Sequence, residues 1–125
     1  IYVEKQAYAD AQEMFENALR LSPNNANIHV HQGLLELQRS NDPERALGII
    51  KQALKLDPNS EFAYETLGTI EVQRANIKQA LEYFDKAVEL ARTELELTHL
   101  FSLREAAITQ IRAAERLGVD IPGMG

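Results

Sequence analysis

The segment ALEYFDKAVELARTE, which begins at Ala80, is the third copy of a pattern that also reads AQEMFENALRLSPNN from Ala11 and ALGIIKQALKLDPNS from Ala46. The copies begin 35 and 34 residues apart. Two further sets of small residues repeat at the same spacings: Ala18, Ala53 and Ala87 within the copies, and Gly33, Gly68 and Ser102 after them. Because three registers agree on one period, the sequence predicts an array of helical repeats.

Apolar residues recur at steps of three and four along the chain, as they do on one face of an amphipathic helix. Turn-forming runs rich in Ser, Asp, Asn and Pro separate the periodic segments. The predicted helices are 8–21, 26–39, 43–56, 61–74 and 77–91. Asp42 and Ser60 have the residue type and position of N-caps. Neither Pro nor Gly occurs between residues 94 and 117, so one long helix is expected there, ending at Gly118.

Glycine recurs in the middle of two predicted helices, at Gly33 and Gly68. A mid-helix glycine costs about 1 kcal/mol relative to alanine. Its recurrence therefore indicates that a second helix approaches closely, and we expect Ala46 and Ala80 to face the two glycines. The long last helix would cover the final repeat. The predicted fold is all-α: a superhelical array of antiparallel helix pairs with a long C-terminal capping helix.

The repeats divide the chain into five segments. We expect 1–25 to be the second helix that ends a truncated repeat, 26–60 and 61–93 to be complete repeats, 94–117 to be the capping helix and 118–125 to be a tail. Tyr2 should end a separate preceding helix, as in a longer array cut within a repeat. The helix over 8–21 would then expose an apolar face, through which the chain could self-associate.

Composition argues against several classes of function. The chain has no cysteine, which excludes thiol catalysis and thiolate metal sites, and its net charge of −6 argues against nucleic acid as a partner. His29 and His31 are two residues apart, so a helix points them to different sides. The sequence has no phosphate-binding loop or nucleophile elbow. We therefore expect no enzyme activity, no metal and no cofactor.

The repeat resembles the tetratricopeptide repeat (TPR). The 61–93 repeat carries the resemblance through Tyr64, Leu67, Gly68, Ala80, Phe84 and Ala87, the preceding repeat through Gly33, Ala46, Ala53 and Pro58, and the first through Tyr8, Ala11, Phe15, Ala18 and Pro23. His29 and Ile50 stand where this family prefers an aromatic residue and Phe, and one extra residue lies in the turn near 39–42.

A closer resemblance extends over nearly the whole chain. Four segments resemble the C-terminal part of the animal mitochondrial outer-membrane import receptors of the seventy-kilodalton class, which serve the TOM complex. They are FAYETLGTIEVQRANIKQALEYFDKAVELA from Phe62, ELTHLFSLREAA from Glu96, NANIHVHQGLLELQ from Asn25 and RLGVDIPG from Arg116. That family implies a receptor that faces the cytosol from an N-terminal membrane anchor. Its partners would be carrier-type precursor proteins, other translocase subunits, and chaperones that dock on an N-terminal TPR cluster absent from these 125 residues.

The TPR resemblance also implies a ligand-binding concave face on the first helix of each pair. The residues that its register places there are Val30, His31, Leu34, Leu37, Phe62, Glu65, Thr66, Thr69, Val72, Gln73, His99 and Leu103, with Ala106 at the end. We expect the apolar members to hold a hydrophobic precursor segment and Glu65 to favour a basic residue. The alternative is that they pack against neighbouring helices. No cluster of basic residues on this face could clamp an acidic chaperone tail.

Two other classes of function remain open from the sequence. A generic TPR scaffold for a cytosolic complex explains the repeats, but it does not explain the matching residues that the repeat leaves unconstrained. An enzyme would require a catalytic domain elsewhere in a longer parent chain.

Overall fold

Six helices account for most of residues 2–118. The computed structural model describes the backbone of residues 2–118 and the side chains of residues 5–118. The helices are α1 (Tyr2–Leu21), α2 (Ala26–Ser40), α3 (Pro43–Leu56), α4 (Glu61–Gln73), α5 (Ile77–Leu90) and α6 (Glu94–Leu117). Residues 2–118 contain no β-strand. The all-α prediction is confirmed, and α2 to α6 begin and end within one residue of their predicted bounds.

The helix ends follow from local side-chain chemistry. The Asp42 carboxylate accepts a hydrogen bond from the Arg45 amide at 3.2 Å, and the Ser60 hydroxyl accepts one from the Ala63 amide at 3.2 Å, which confirms both predicted caps. Thr93 forms a capping box with Glu96 at the start of α6, which sequence reasoning missed. Gly118 ends α6 with a φ of 71°, a conformation that glycine adopts without strain.

The first helix differs from its prediction. It runs without interruption from Tyr2, so the separate preceding helix expected to end at Tyr2 is wrong. Residues 3–7 contain neither proline nor glycine, and nothing in them breaks the helical backbone. At the other end of the chain, residues 119–125 of the predicted tail lie outside the described part of the chain.

The chain divides into two compact units, Ile1–Pro58 and Asn59–Gly125. In the first unit, α2 packs along α3, and the two-residue link between them makes the pair antiparallel. A Cβ added at Gly33 would lie 2.7 Å from Cγ1 of Ile50 and 3.3 Å from the Ala46 carbonyl oxygen. Glycine is required there because these atoms occupy the space that a side chain would need.

In the second unit, α5 lies between α4 and α6 in the core packing. The buried cluster consists of Ile77, Ala80, Phe84 and Ala107. A Cβ added at Gly68 would lie 2.5 Å from Cε1 of Phe84. In both units the space above the glycine is filled by a large side chain that lies one helical turn after the expected alanine. This side chain is Ile50 in the first unit and Phe84 in the second. The predicted close approach is confirmed, but its main partner differs from the prediction.

The capping helix α6 packs antiparallel to α5 and forms an ion pair with it between Arg104 and Asp85 at 2.9 Å. Leu100 is completely buried, whereas the side chain of Phe101 is half exposed. Phe101 and Ser102 lie 34 residues after Leu67 and Gly68, as the repeat predicts, but they are exposed where Leu67 and Gly68 are buried. In α4 the corresponding face is covered by α5, the second helix of the pair. In α6 this face has no such cover, because the helix continues without a turn to Leu117.

Candidate binding surface

The predicted site residues of the first unit lie on α2. His31 is exposed, and its ring stacks on Phe15 of α1 with centroids 6.4 Å apart and planes at 17°. Leu34 and Leu37 are half buried, so part of each side chain reaches the surface. Val30 is completely buried and is part of the core. We call His31, Leu34 and Leu37 the α2 surface, and it excludes Val30.

The two predicted threonines of α4 form hydrogen bonds with their own helix. The Thr66 hydroxyl donates to the Phe62 carbonyl at 2.8 Å, and the Thr69 hydroxyl donates to the Glu65 carbonyl at 3.0 Å. Thr66 is buried as well, which removes it from any accessible surface. Both hydroxyls can still accept a hydrogen bond, but of the two residues only Thr69 is partly exposed.

Two of the predicted apolar residues of the second unit belong to its core. Val72 and Leu103 pack against the cluster of Ile77, Ala80, Phe84 and Ala107. For these two residues the alternative reading, packing against neighbouring helices, is the one that the structure supports. Phe62 is half buried, and Gln73, His99 and Ala106 are exposed. We call Phe62, Glu65, Thr69, Gln73 and His99 the α4–α6 surface.

Glu65 and His99 form a contact between α4 and α6. The Nε2 atom of His99 lies 2.8 Å from Oε1 of Glu65. The two residues are 34 apart, one repeat period, so they occupy equivalent positions on successive first helices. The sequence contained this signal, but the prediction named the two residues without pairing them. A basic group on a ligand would therefore compete with His99 for Glu65.

A second carboxyl group, Glu61, adjoins this contact and was missed by sequence reasoning. The pKa of Glu61 is raised to about 7, mainly by burial and to a smaller extent by a hydrogen bond with Glu65 and by repulsion from Glu65 and Glu96. Its Oε1 atom is buried without a hydrogen-bond partner. A carboxyl group with this pKa is partly protonated near neutral pH. The spacing of four residues on one helix predicts such like-charge proximity.

The three histidines have partners other than a metal. Nε2 of His29 lies 3.2 Å from the Pro23 carbonyl oxygen, His31 stacks on Phe15, and His99 contacts Glu65. Across residues 2–118, no group of three or more His, Asp or Glu side chains has a geometry that could hold a metal ion. Within the same residues, none of the helices is both long and apolar enough to cross a bilayer.

The chain is similar to known proteins in two ways. A profile of the tetratricopeptide repeat matches residues 1–61 and, one repeat period further along, residues 35–94. The mitochondrial import receptor subunit TOM70 of Homo sapiens is 44% identical over 119 residues, and the proteins of that name from Rattus norvegicus and Mus musculus are 43% identical. Each match covers 95% of this chain and 20% of the relative, so the chain spans about a fifth of the relatives' length. With its paired helices, its glycine-mediated packing and its matching repeats, the chain belongs to the tetratricopeptide repeat family.

Proposed function

We propose that this chain is the protein-binding TPR module of a mitochondrial preprotein import receptor. The observation that carries the proposal is the 43–44% identity, over 95% of the chain, to relatives named as import receptor subunits. The module binds hydrophobic or internal-signal segments of carrier-type precursors. It acts on the cytosolic face of the mitochondrial outer membrane beside other translocase subunits, and chaperones dock on another part of the same receptor.

Two surface properties support a hydrophobic ligand. Leu34, Leu37 and Phe62 are half buried, so each is held in place by the fold and still offers apolar area. Covering that area stabilises a complex by roughly 25 cal/mol per Å². Thr69 and Gln73 add polar groups beside Phe62, which can bond to the backbone of an extended segment.

Anisotropy with a fluorescent peptide from a hydrophobic segment of a carrier precursor tests the proposal. We expect Leu37→Ser and Phe62→Ser each to weaken binding by about tenfold, because truncating a contacting side chain in the centre of an interface removes more than about 1 kcal/mol. Met14→Ser and Leu56→Ser are matched controls, since both residues are exposed and lie outside the two surfaces. Far-UV circular dichroism verifies that each variant is folded.

Unchanged binding by folded Leu37→Ser and Phe62→Ser variants would contradict the proposal, as would equal losses in the two controls. If the chain binds no precursor segment but assembles stably with a cytosolic complex, the generic scaffold becomes the better account.

A further inference from the structure

A groove on the first unit lies apart from the α2 surface. It has a volume of about 760 Å³ and is lined by residues of α1, α2 and α3. Tyr8, Leu35 and Ile49, one from each helix, form its apolar part. All three are half buried, so they are fixed by packing and still accessible. This volume is within the usual range for a pocket that takes a few side chains of a ligand.

Basic side chains from the same three helices line the groove: Lys5 on α1, Arg39 on α2 and Arg45 on α3. They surround one acidic side chain, Glu36, of which only 12% is exposed. Oε1 of Glu36 lies 2.8 Å from Nη2 of Arg39 and 3.2 Å from Nε of Arg45. Three cations against one anion leave the lining with a net charge of +2, in a chain whose net charge is −6.

The arginines keep hydrogen-bonding capacity toward the groove. The side chains of Arg39 and Arg45 are 54% and 62% exposed. A guanidinium has five N–H donors in a planar fork, and the contact of Arg45 with Glu36 uses its Nε atom. Glu36 therefore orients both guanidinium groups without occupying all their donors. A second carboxylate could bind to the remaining donors.

This charge is not a general consequence of the repeat. Glu71 and Arg74 form the same ion pair at 2.8 Å in the second unit, 35 residues after Glu36 and Arg39. The cavity beside Glu71 measures about 390 Å³, and its charged lining residues are Glu71, Lys78 and Glu82. Gln79 lines it one period after Arg45. The excess of basic side chains is therefore specific to the groove of the first unit.

We infer that the Tyr8–Leu35–Ile49 groove binds an internal segment of a partner protein in which acidic side chains adjoin aliphatic ones. The aliphatic side chains contact Leu35 and Ile49, and the carboxylates bind Arg39 and Arg45. Opposite charge attracts such a segment and disfavours a basic one. The inference uses none of the residues in the proposed precursor-binding surfaces, so either can fail without the other.

The probe is a fluorescein-labelled peptide of alternating Leu-Leu and Glu-Glu pairs, blocked at both ends, with matched peptides in which every Glu is Gln or Lys. We expect anisotropy to show that the Glu peptide binds at least about tenfold more tightly than the Gln peptide, that salt weakens its binding, and that the Lys peptide does not bind. Methyl NMR should show shifts at Leu35 and Ile49.

The decisive variant is Arg45→Gln, which keeps the Glu36–Arg39 pair. It should weaken the Glu peptide about tenfold and leave the Gln peptide unchanged. Lys51→Gln is the matched control, because Lys51 is exposed on the same helix and does not line the groove. The inference is overturned if no peptide binds, if the Glu and Gln peptides bind equally, if Lys51→Gln causes the same loss, or if the shifts occur at Leu37 in place of Leu35 and Ile49.

Discussion

Replacing Gly68 by alanine tests the packing on which the fold of the second unit depends. The added Cβ would lie 2.5, 2.7 and 3.0 Å from three atoms of the Phe84 ring. Phe84 is fully buried against Ile77, Ala80 and Ala107, so the ring has no space to move into. Overpacking of this kind costs about 1–3 kcal/mol.

The chain contains a matched control for this substitution. Gly48 also lies in a helix, but a Cβ added there would meet nothing within 4 Å. Gly48→Ala should therefore raise the free energy of unfolding by up to about 1 kcal/mol through helix propensity alone. Gly68→Ala gains the same stability from helix propensity, but overpacking against Phe84 destabilises it. The difference between the two variants should equal the overpacking cost, about 1–3 kcal/mol.

Urea unfolding followed by far-UV circular dichroism measures both variants. A double variant that also carries Phe84→Leu should recover part of the loss at Gly68, because the smaller side chain relieves the contact. If Gly68→Ala is as stable as Gly48→Ala, the reasoning that the glycine is required by close helix packing is refuted.

Three further predictions concern other contacts. The pKa of Glu61 is raised from 4.5 to about 7 in the folded state, so the stability that its protonated form contributes is full below about pH 4.5 and is lost as the pH rises through about 7. In urea unfolding, the free energy of unfolding should therefore fall between about pH 5 and 8, and Glu61→Gln should make this fall smaller by about 1 kcal/mol, after allowance for solvent screening. An unchanged pH profile in the variant would contradict this. Thr93→Ala removes the capping box of α6 and should lower the free energy of unfolding by about 1 kcal/mol in the same assay. Thr98→Ala, at an exposed site on the same helix, should lower it by less than about half of that. Equal losses would exclude capping as the cause. Leu100→Ala should lower the free energy of unfolding by about 2–5 kcal/mol and Phe101→Ala by much less, because Leu100 is fully buried and Phe101 half exposed. Thermal denaturation giving the reverse order would contradict this prediction.

The candidate site was only partly predictable from the repeat register. Register assigns a residue to a helix face, and on that basis Val30 and Leu34 were equivalent choices. The structure separates them, because Val30 is completely buried and Leu34 keeps part of its surface. Val72 and Leu103 were likewise on the predicted face, yet they pack on the core of the second unit. Burial depends on how far a neighbouring helix extends, which periodicity does not encode.

The sequence by itself determined helices α2 to α6, the caps at Asp42 and Ser60, and the close approach at Gly33 and Gly68. These features follow from interactions between residues a few positions apart and from a repeat that places the same small residue at the same point of each pair. Only the tertiary structure decided that Lys5, Arg39 and Arg45 line one groove, and that burial, the largest cause, raises the pKa of Glu61. Local charge and solvent exclusion depend on groups that folding brings together from separate helices, so a pattern read along one helix could not reveal them.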